Sequence, residues 1–171
     1  MSPRLGFLVG FSLCVAAMAT AYYLEFAMGL EPCPLCITQR LLMIGVGGIF
    51  LIAFLHDPGP LGQRLYALLV VLVALGGAAV AARHVWLQSL PPEKVPDCAP
   101  PLDYLWEQFP LKETLKLLLT GTGDCAEVKW TFLGLTIPGW SLVVFLLLAL
   151  WGLFLFASVH ARREETSSGW L

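Results

Sequence analysis

Charged residues are scarce in this sequence, and their scarcity excludes most classes of soluble protein. Only 13% of the 171 residues are charged, whereas 58% are hydrophobic. An average soluble domain carries about 25% charged residues. The net charge of −2 also leaves no basic surplus of the kind that marks nucleic-acid-binding proteins. The composition therefore predicts a protein of the lipid bilayer, with no nucleic acid among its partners.

Four apolar runs are each long enough to cross a bilayer, which takes about 20 residues. The third and fourth runs contain no charged residue, and the first two contain only Glu25 and Arg40. Together they predict a single domain over residues 1–171, an all-α, polytopic membrane four-helix bundle. The predicted spans are 5–26, 37–55, 65–82 and 140–159.

Basic residues are distributed unevenly between the two sides of this predicted bundle. Arg4, Arg64 and the pair Arg162–Arg163 fall on the side of the termini, whereas the loop 27–36 contains no Lys or Arg. Cytoplasmic loops are enriched in Lys and Arg, so we expect cytoplasmic termini, with loops 27–36 and 83–139 outside. An alternative is that the first run is a cleavable signal peptide, although it exceeds the usual 7–15 apolar residues of such a signal.

The long outer loop contains a second amphipathic pattern. Apolar residues such as Leu102, Leu105 and Trp106 recur at helical spacing, with polar residues between them. This spacing predicts a short amphipathic helix. It could lie along the membrane surface or pack on the outer end of the bundle.

Cysteines are absent from the predicted cytoplasmic loops. Four of the five fall on the outer side, where disulfides persist: Cys33, Cys36, Cys98 and Cys125. Cys14 lies in the middle of the first apolar run and is expected to be a core residue. A carrier that moves reducing equivalents outward would need cysteines reachable from the cytoplasm, so this class is disfavoured.

Cys33 and Cys36 form a C-x-x-C pair at the start of the second span. Such a pair can alternate between dithiol and disulfide, with one thiol activated. Cys36 should lie at the helix N-terminus, where the dipole favours a thiolate. Arg40 follows one turn later on the same face. Cys33 is expected to be the more exposed of the two. Alternatives are a structural clip or half of a zinc site, but zinc favours a second closely spaced pair, so no metal is predicted.

The remaining polar residues near this pair allow more than one interpretation. Arg40 could reach the outer surface by its flexible stem, or it could hydrogen-bond a quinone carbonyl, because a charge inside a span is by default functional. His84 could face a bound headgroup or simply water. Glu25 and Glu31 are expected to be solvated.

Cys98 and Cys125 could form a purely stabilising disulfide, worth on the order of 3 kcal/mol for a loop of this length. Prolines flank Cys98 and should keep its segment extended. That setting favours thiol exchange over a rigid clip. Glycines at 45, 47, 48, 76 and 77 are expected to allow close helix packing.

These motifs resemble the DsbB family of bacterial disulfide bond formation proteins. The resemblance covers all four predicted helices and both outer loops. It is carried by Glu31-Pro32-Cys33-Pro34-Leu35-Cys36 with Gln39-Arg40, by Gly123-Asp124-Cys125-Ala126-Glu127, and by Phe132-Leu133-Gly134-Leu135 with Pro138 and Trp140.

The resemblance implies a thiol:quinone oxidoreductase of the bacterial inner membrane. Cys98 would be attacked by a reduced, DsbA-like periplasmic protein of thioredoxin fold, and Cys125 would be its disulfide partner. Cys33 would exchange with that pair, and Cys36 would contact ubiquinone or menaquinone. Arg40 and His84 would belong to the quinone site. Because DsbA is itself a strong oxidant, at about −120 mV, a quinone supplies the driving force.

Two other proteins would share parts of this pattern. A vitamin K epoxide reductase-like enzyme also combines a C-x-x-C with two loop cysteines, but the motif from Gly123 to Glu127 and the helix order favour DsbB. A membrane scaffold with structural disulfides would leave Arg40 beside Cys36 unexplained.

Overall fold

Four long helices dominate the computed structural model, which describes residues 3–96 and 120–168. All four are long and apolar enough to span a membrane, as predicted from the sequence, and each extends beyond its predicted span. Within these residues, two short 3-10 turns and a two-stranded hairpin lie in the connections between the helices. The helices are α1 Pro3–Met28, α2 Pro34–His56, α3 Pro60–Gln88 and α4 Ile137–Ser168.

Prolines and capping residues set the beginnings of the central helices. Pro34 and Pro60 each occupy the first turn of a helix, where the missing N–H costs no hydrogen bond. At the other end of α2, Asp57 adopts a left-handed conformation with φ of 42°, and Pro58 follows it. The chain therefore turns tightly between α2 and α3.

The core of the bundle lies between the helices, and their outward faces are apolar. α3 packs most extensively on α4, and α1 and α3 both pack on α2. Phe7, Phe50 and Phe145 are almost completely buried at these contacts. Many leucines on the outer faces are exposed, for example Leu72 and Leu150. Apolar surface of this extent suits hydrocarbon rather than water.

Close packing explains only some of the small residues. A Cβ on Gly77 would lie 2.3 Å from the Phe145 ring, and one on Gly47 would lie 3.2 Å from the Cys14 Cβ. Gly48 and Gly76 have nothing within 4 Å of that position. The packing prediction is therefore wrong for these two glycines, which face outward. Cys14 is 3% exposed and is a core residue, as predicted.

A β-hairpin precedes α4, which the sequence analysis did not predict. Strands β1 Thr131–Phe132 and β2 Leu135–Thr136 pair antiparallel, with Phe132 opposite Leu135. The connecting Leu133 and Gly134 both have positive φ, 51° and 80°, as a tight hairpin turn requires. Trp140 donates an indole hydrogen bond of 3.1 Å to the Phe132 carbonyl. This contact fixes the hairpin against the first turn of α4.

Two predictions fall outside the described residues. Cys98 lies there, and so does the amphipathic helix expected from Leu102 onward.

Candidate functional site

The C-x-x-C pair caps the start of α2. Cys33 is the N-cap residue, and its sulfur accepts a hydrogen bond from the Cys36 backbone N–H at 3.4 Å. Cys36 lies in the first turn, as predicted, and its Sγ is 3.0 Å from the Cys33 Sγ. The expectation that Cys33 is the more exposed is wrong. Cys33 is buried and Cys36 is half-buried, because the chain near residue 125 covers Cys33.

A docked segment brings Cys125 to this pair. Gly121 has a positive φ of 78°, and a Cβ there would lie 2.7 Å from both Leu35 and Leu87. The chain can therefore press directly onto the ends of α2 and α3. A 3-10 turn over Gly123–Cys125 follows, and it leaves Cys125 fully buried beside Cys33.

Side chains at the end of α3 hold this segment in place. Arg83 donates a hydrogen bond of 3.0 Å to the Thr120 carbonyl. Gln88 donates one of 3.5 Å to the Glu127 carbonyl. The docked segment, defined as residues 120–127, is thus fastened at both of its ends to one helix.

The contact between Cys33 and Cys125 shifts the pKa values of the two thiols in opposite directions. The Cys33 thiol donates a hydrogen bond to the Cys125 sulfur, and this lowers the pKa of Cys125 to about 6. The same hydrogen bond is the largest cause that raises the pKa of Cys33. The hydrogen bond therefore favours the thiolate on Cys125 and the protonated thiol on Cys33.

His84 is buried against the beginning of α2 and the docked segment, and it does not face water. It is 2% exposed, because α3 continues to Gln88 and the ring packs against Gln39 and Cys33. Its Nδ1 lies 3.0 Å from the Gln39 side-chain nitrogen, and its Nε2 lies 3.7 Å from the Cys33 sulfur. The ring therefore reaches the C-x-x-C pair directly.

Gln39 is a site residue that the sequence analysis did not single out. It is 5% exposed, and its amide orients the His84 ring. Its position three residues after Cys36 places it on the same helix face. This spacing can be read from the sequence. It indicates a site residue only together with the buried contact to His84 of α3.

Arg40 forms an ion pair with Glu25 of α1, which corrects the expectation that Glu25 is simply solvated. The two side chains are 19% and 23% exposed. The guanidinium also lies 3.4 Å from the Ala21 carbonyl and 5.1 Å from the centre of the Tyr22 ring. Arg40 is therefore held against α1 near the membrane end, and does not extend freely to the outer surface.

A cavity of about 550 Å³ lies beside these residues. It extends between α1, α2 and the beginning of α4, where α1 and α4 have few contacts. Most of its wall is apolar. The polar and sulfur-bearing side chains that line it near the C-x-x-C include Cys33, Cys36, Gln39, Arg40 and His84. The structure thus gathers every described residue that the sequence assigned to the site except Cys125, which lies directly behind Cys33.

Only one set of described side chains is grouped closely enough to coordinate a cation. The sulfurs of Cys33 and Cys125 and a ring nitrogen of His84 lie within 4.8 Å of one another. All three residues are buried.

Comparison with known proteins gives consistent matches along the chain. A family model described as disulfide bond formation protein DsbB matches residues 3–155. The disulfide bond formation protein B of Methylococcus capsulatus is 57% identical over 145 residues, which cover 85% of this chain and 88% of that protein. Its counterpart in Marinobacter nauticus is 49% identical over 168 residues, 98% of this chain and 100% of the relative.

A third relative is disulfide bond formation protein B 1 of Pseudomonas aeruginosa. It is 50% identical over 144 residues, 84% of this chain and 88% of the relative. The match to the family model spans the C-x-x-C, the docked segment and α4 as far as residue 155. This chain therefore belongs to the DsbB family, whose members are membrane thiol:quinone oxidoreductases that reoxidise DsbA.

Proposed function

We propose that electrons from a reduced, DsbA-like periplasmic protein enter this chain at Cys98–Cys125, pass to Cys33–Cys36 and leave in the cavity beside Cys36. The observation that carries this proposal is the contact between Cys33 and Cys125, which belong to the two cysteine pairs. Thiol–disulfide exchange requires one sulfur to attack another directly. The buried approach of these two sulfurs supports such an attack.

The first exchange would oxidise the partner. A partner thiolate attacks the Cys98 sulfur of the Cys98–Cys125 disulfide, and Cys125 leaves as a thiolate. The second thiol of the partner then attacks the partner's sulfur in the mixed disulfide. This releases Cys98 and leaves the partner with an internal disulfide. The partner has lost two electrons, and Cys98 and Cys125 now hold them as a dithiol.

The second exchange would move these electrons inward. The Cys125 thiolate attacks the Cys33 sulfur of the Cys33–Cys36 disulfide, and Cys36 leaves. Cys98 then attacks Cys125, which restores the outer disulfide and leaves Cys33 and Cys36 reduced. A hydrogen bond from the neighbouring His84 ring would support the sulfur of Cys33 as it changes partners.

The cavity fits a quinone by size and by chemistry. Ligand cavities are about 300–1,000 Å³, mostly apolar, with a few polar groups that fix orientation. This cavity has that volume, and Arg40 and Gln39 line it with side chains whose N–H groups would be the donors to a ring carbonyl. When bound, ubiquinone or menaquinone supplies a two-electron acceptor. Cys36 presents its sulfur to the cavity, and Cys33 lies in position to re-form the disulfide.

The proposal also covers the domain boundaries of the chain and its orientation in the membrane. Residues 1–171 act as one domain, with both termini in the cytoplasm and the two cysteine loops in the periplasm. The match to the DsbB family leaves no observation that favours a vitamin K epoxide reductase-like activity.

The proposal is tested with the purified protein, a reduced DsbA-like partner and soluble analogues of ubiquinone and menaquinone. We expect quinone loss to match partner thiol loss, one quinone for two thiols. Cys36→Ala and Cys98→Ala should each stop turnover, whereas Cys14→Ala, a buried cysteine away from the site, should turn over. Normal turnover by Cys98→Ala would show that Cys98–Cys125 is only structural.

A further inference from the structure

The same cysteines can serve a second chemistry when they are reduced. We propose that the reduced form of this protein binds a thiophilic divalent cation, Zn²⁺, through Cys33, Cys36, Cys125 and His84. In the sequence, the C-x-x-C lacks the second closely spaced pair that zinc sites favour. The fold supplies the remaining ligands from two other segments, the docked segment and α3.

The distances suit a tetrahedral site. With Zn–S bonds of 2.3 Å and Zn–N bonds of 2.0–2.1 Å, neighbouring ligand atoms are about 3.6–3.8 Å apart. The Cys33 sulfur and the His84 Nε2 are 3.7 Å apart. The Cys125 sulfur lies within 4.8 Å of both, and the Cys36 sulfur is 3.0 Å from that of Cys33. The ligand atoms of Cys33, Cys125 and His84 are therefore within about 1 Å of tetrahedral spacing, and Cys36, whose sulfur adjoins that of Cys33, is the fourth ligand in the proposal.

The groups around these ligands resemble the outer shell of a metal site. A metal-bound His normally donates its other ring N–H to a fixed acceptor. The buried Gln39 amide is in contact with Nδ1 of His84, and with its oxygen turned to the ring it would accept that proton and leave Nε2 free for the cation. The Cys125 sulfur also receives backbone hydrogen bonds from Leu35 and Thr122.

Binding would need no oxidant. Three thiols lose their protons to solvent, and each sulfur donates an electron pair to the cation. No sulfur is oxidised, and the zinc-bound protein stays in its reduced form. Zinc and the Cys33–Cys36 disulfide therefore exclude each other, so zinc would inhibit turnover reversibly.

The test uses the full chain in detergent, stripped of quinone, reduced with a phosphine and kept anaerobic. Co²⁺ is titrated as a coloured substitute, and Zn²⁺ is then added in competition. We expect one equivalent of Co²⁺, with thiolate charge-transfer absorption and the strong d–d bands of a tetrahedral ion, and displacement by Zn²⁺. Protein with its disulfides intact should show none of these bands. Equal binding by the oxidised protein would overturn the proposal.

Matched variants locate the ion. Cys125→Ser and His84→Ala should each weaken binding at least about tenfold, since even second-sphere changes cost 10–100-fold. Cys14→Ser and His56→Ala, a buried cysteine and a histidine outside the cluster, should bind like the native chain. Native affinity in both Cys125→Ser and His84→Ala would place the ion on the C-x-x-C alone and refute the four-ligand site.

Alkylation of the native chain provides a readout that needs no variant. Zn²⁺ should protect Cys33, Cys36 and Cys125 of the reduced protein from a thiol reagent, as measured by mass spectrometry, and should leave Cys98 reactive. Protection of Cys98 and Cys125 without Cys33 would instead put the ion on the outer pair and overturn the assignment.

Discussion

At the scale of single residues, the ion pair between Glu25 and Arg40 reduces the energetic cost of placing a charge inside this bundle. A lone guanidinium is costly within a span. Here the carboxylate of another helix neutralises it, and the Tyr22 ring covers it. The pair also lines the cavity, so the group that would meet a quinone carbonyl is oriented by α1 before any ligand arrives.

Removing the carboxylate should therefore destabilise the bundle. We expect Glu25→Gln to lower the free energy of unfolding by about 1 kcal/mol or more, because it leaves a largely buried Arg40 without its counter-ion. In an Arg40→Gln background the same change should cost much less, a coupling of about 0.5–3 kcal/mol. Unfolding in mixed micelles with increasing dodecyl sulfate measures both values.

The matched control is Glu31→Gln, since Glu31 is an exposed carboxylate at the same end of the bundle. Its cost should stay within about 0.5 kcal/mol, as for most surface changes. Equal costs at positions 25 and 31, or zero coupling with Arg40, would show that the ion pair contributes nothing to stability.

At the scale of elements, the docked segment holds Cys125 against Cys33. Gly121 touches Leu35 and Leu87 and has a positive φ, whereas Gly134 has a similar φ of 80° with nothing near its Cβ position. Gly121→Ala should therefore move Cys125 away from Cys33, and Gly134→Ala should add only local backbone strain of order 1–3 kcal/mol.

Disulfide formation between Cys33 and Cys125 measures this difference. In chains that also carry Cys36→Ala and Cys98→Ala, we expect mild oxidation to join the two cysteines at least tenfold more slowly with Gly121→Ala. The Gly134→Ala chain should match the parent. Equal rates for both variants would mean that the contact at Gly121 does not position Cys125.

The interface between α3 and α4 offers a second matched pair. A Cβ at Gly77 would overlap the buried Phe145 ring, whereas one at Gly76 meets nothing within 4 Å. Gly77→Ala should destabilise the bundle by about 1–3 kcal/mol through overpacking. Gly76→Ala should be neutral or stabilising, because Ala has a higher helix propensity than Gly. Similar unfolding curves for the two variants would contradict this assignment of the faces.

These elements also show what the sequence could and could not predict. Long apolar runs predict the four helices because a segment needs only sufficient length and apolarity to span a bilayer. The same apolarity on all sides hides which face is packed, so Gly76 and Gly77 cannot be told apart. The hairpin was missed because Leu133-Gly134 lacks the Asn-Gly signal of a tight turn.

The site was predicted in part for a similar reason. Cys33, Cys36 and Arg40 lie within one stretch of chain, so spacing relates them. Glu25 and His84 reach Arg40 and Cys33 only through packing of α1 and α3 on α2, at separations of 15 and 51 residues. The contact between Gln39 and His84 depends on the same packing. Local sequence carries no record of such contacts.

At the scale of the whole molecule, the orientation in the membrane is the property to test. Four spans put both termini on one side, and the basic residues favour the cytoplasm for that side. We expect alkaline phosphatase fused after Leu171 to be inactive in cells, and the same enzyme inserted near Glu31 to be active. A green fluorescent protein fused after Leu171 should fluoresce. The opposite pattern would invert the proposed topology.

The placement of the site also has an energetic consequence for the cell. The C-x-x-C, Arg40 and His84 all lie at the same end of the bundle, in the first turns of α2 and the last turns of α3. In the proposed relay, thiol protons would be released and a quinone carbonyl would be bound at that one end. No charge would then cross the hydrocarbon layer during turnover. Disulfide generation by this protein would be electrically silent, and its rate would not depend on the voltage across the membrane.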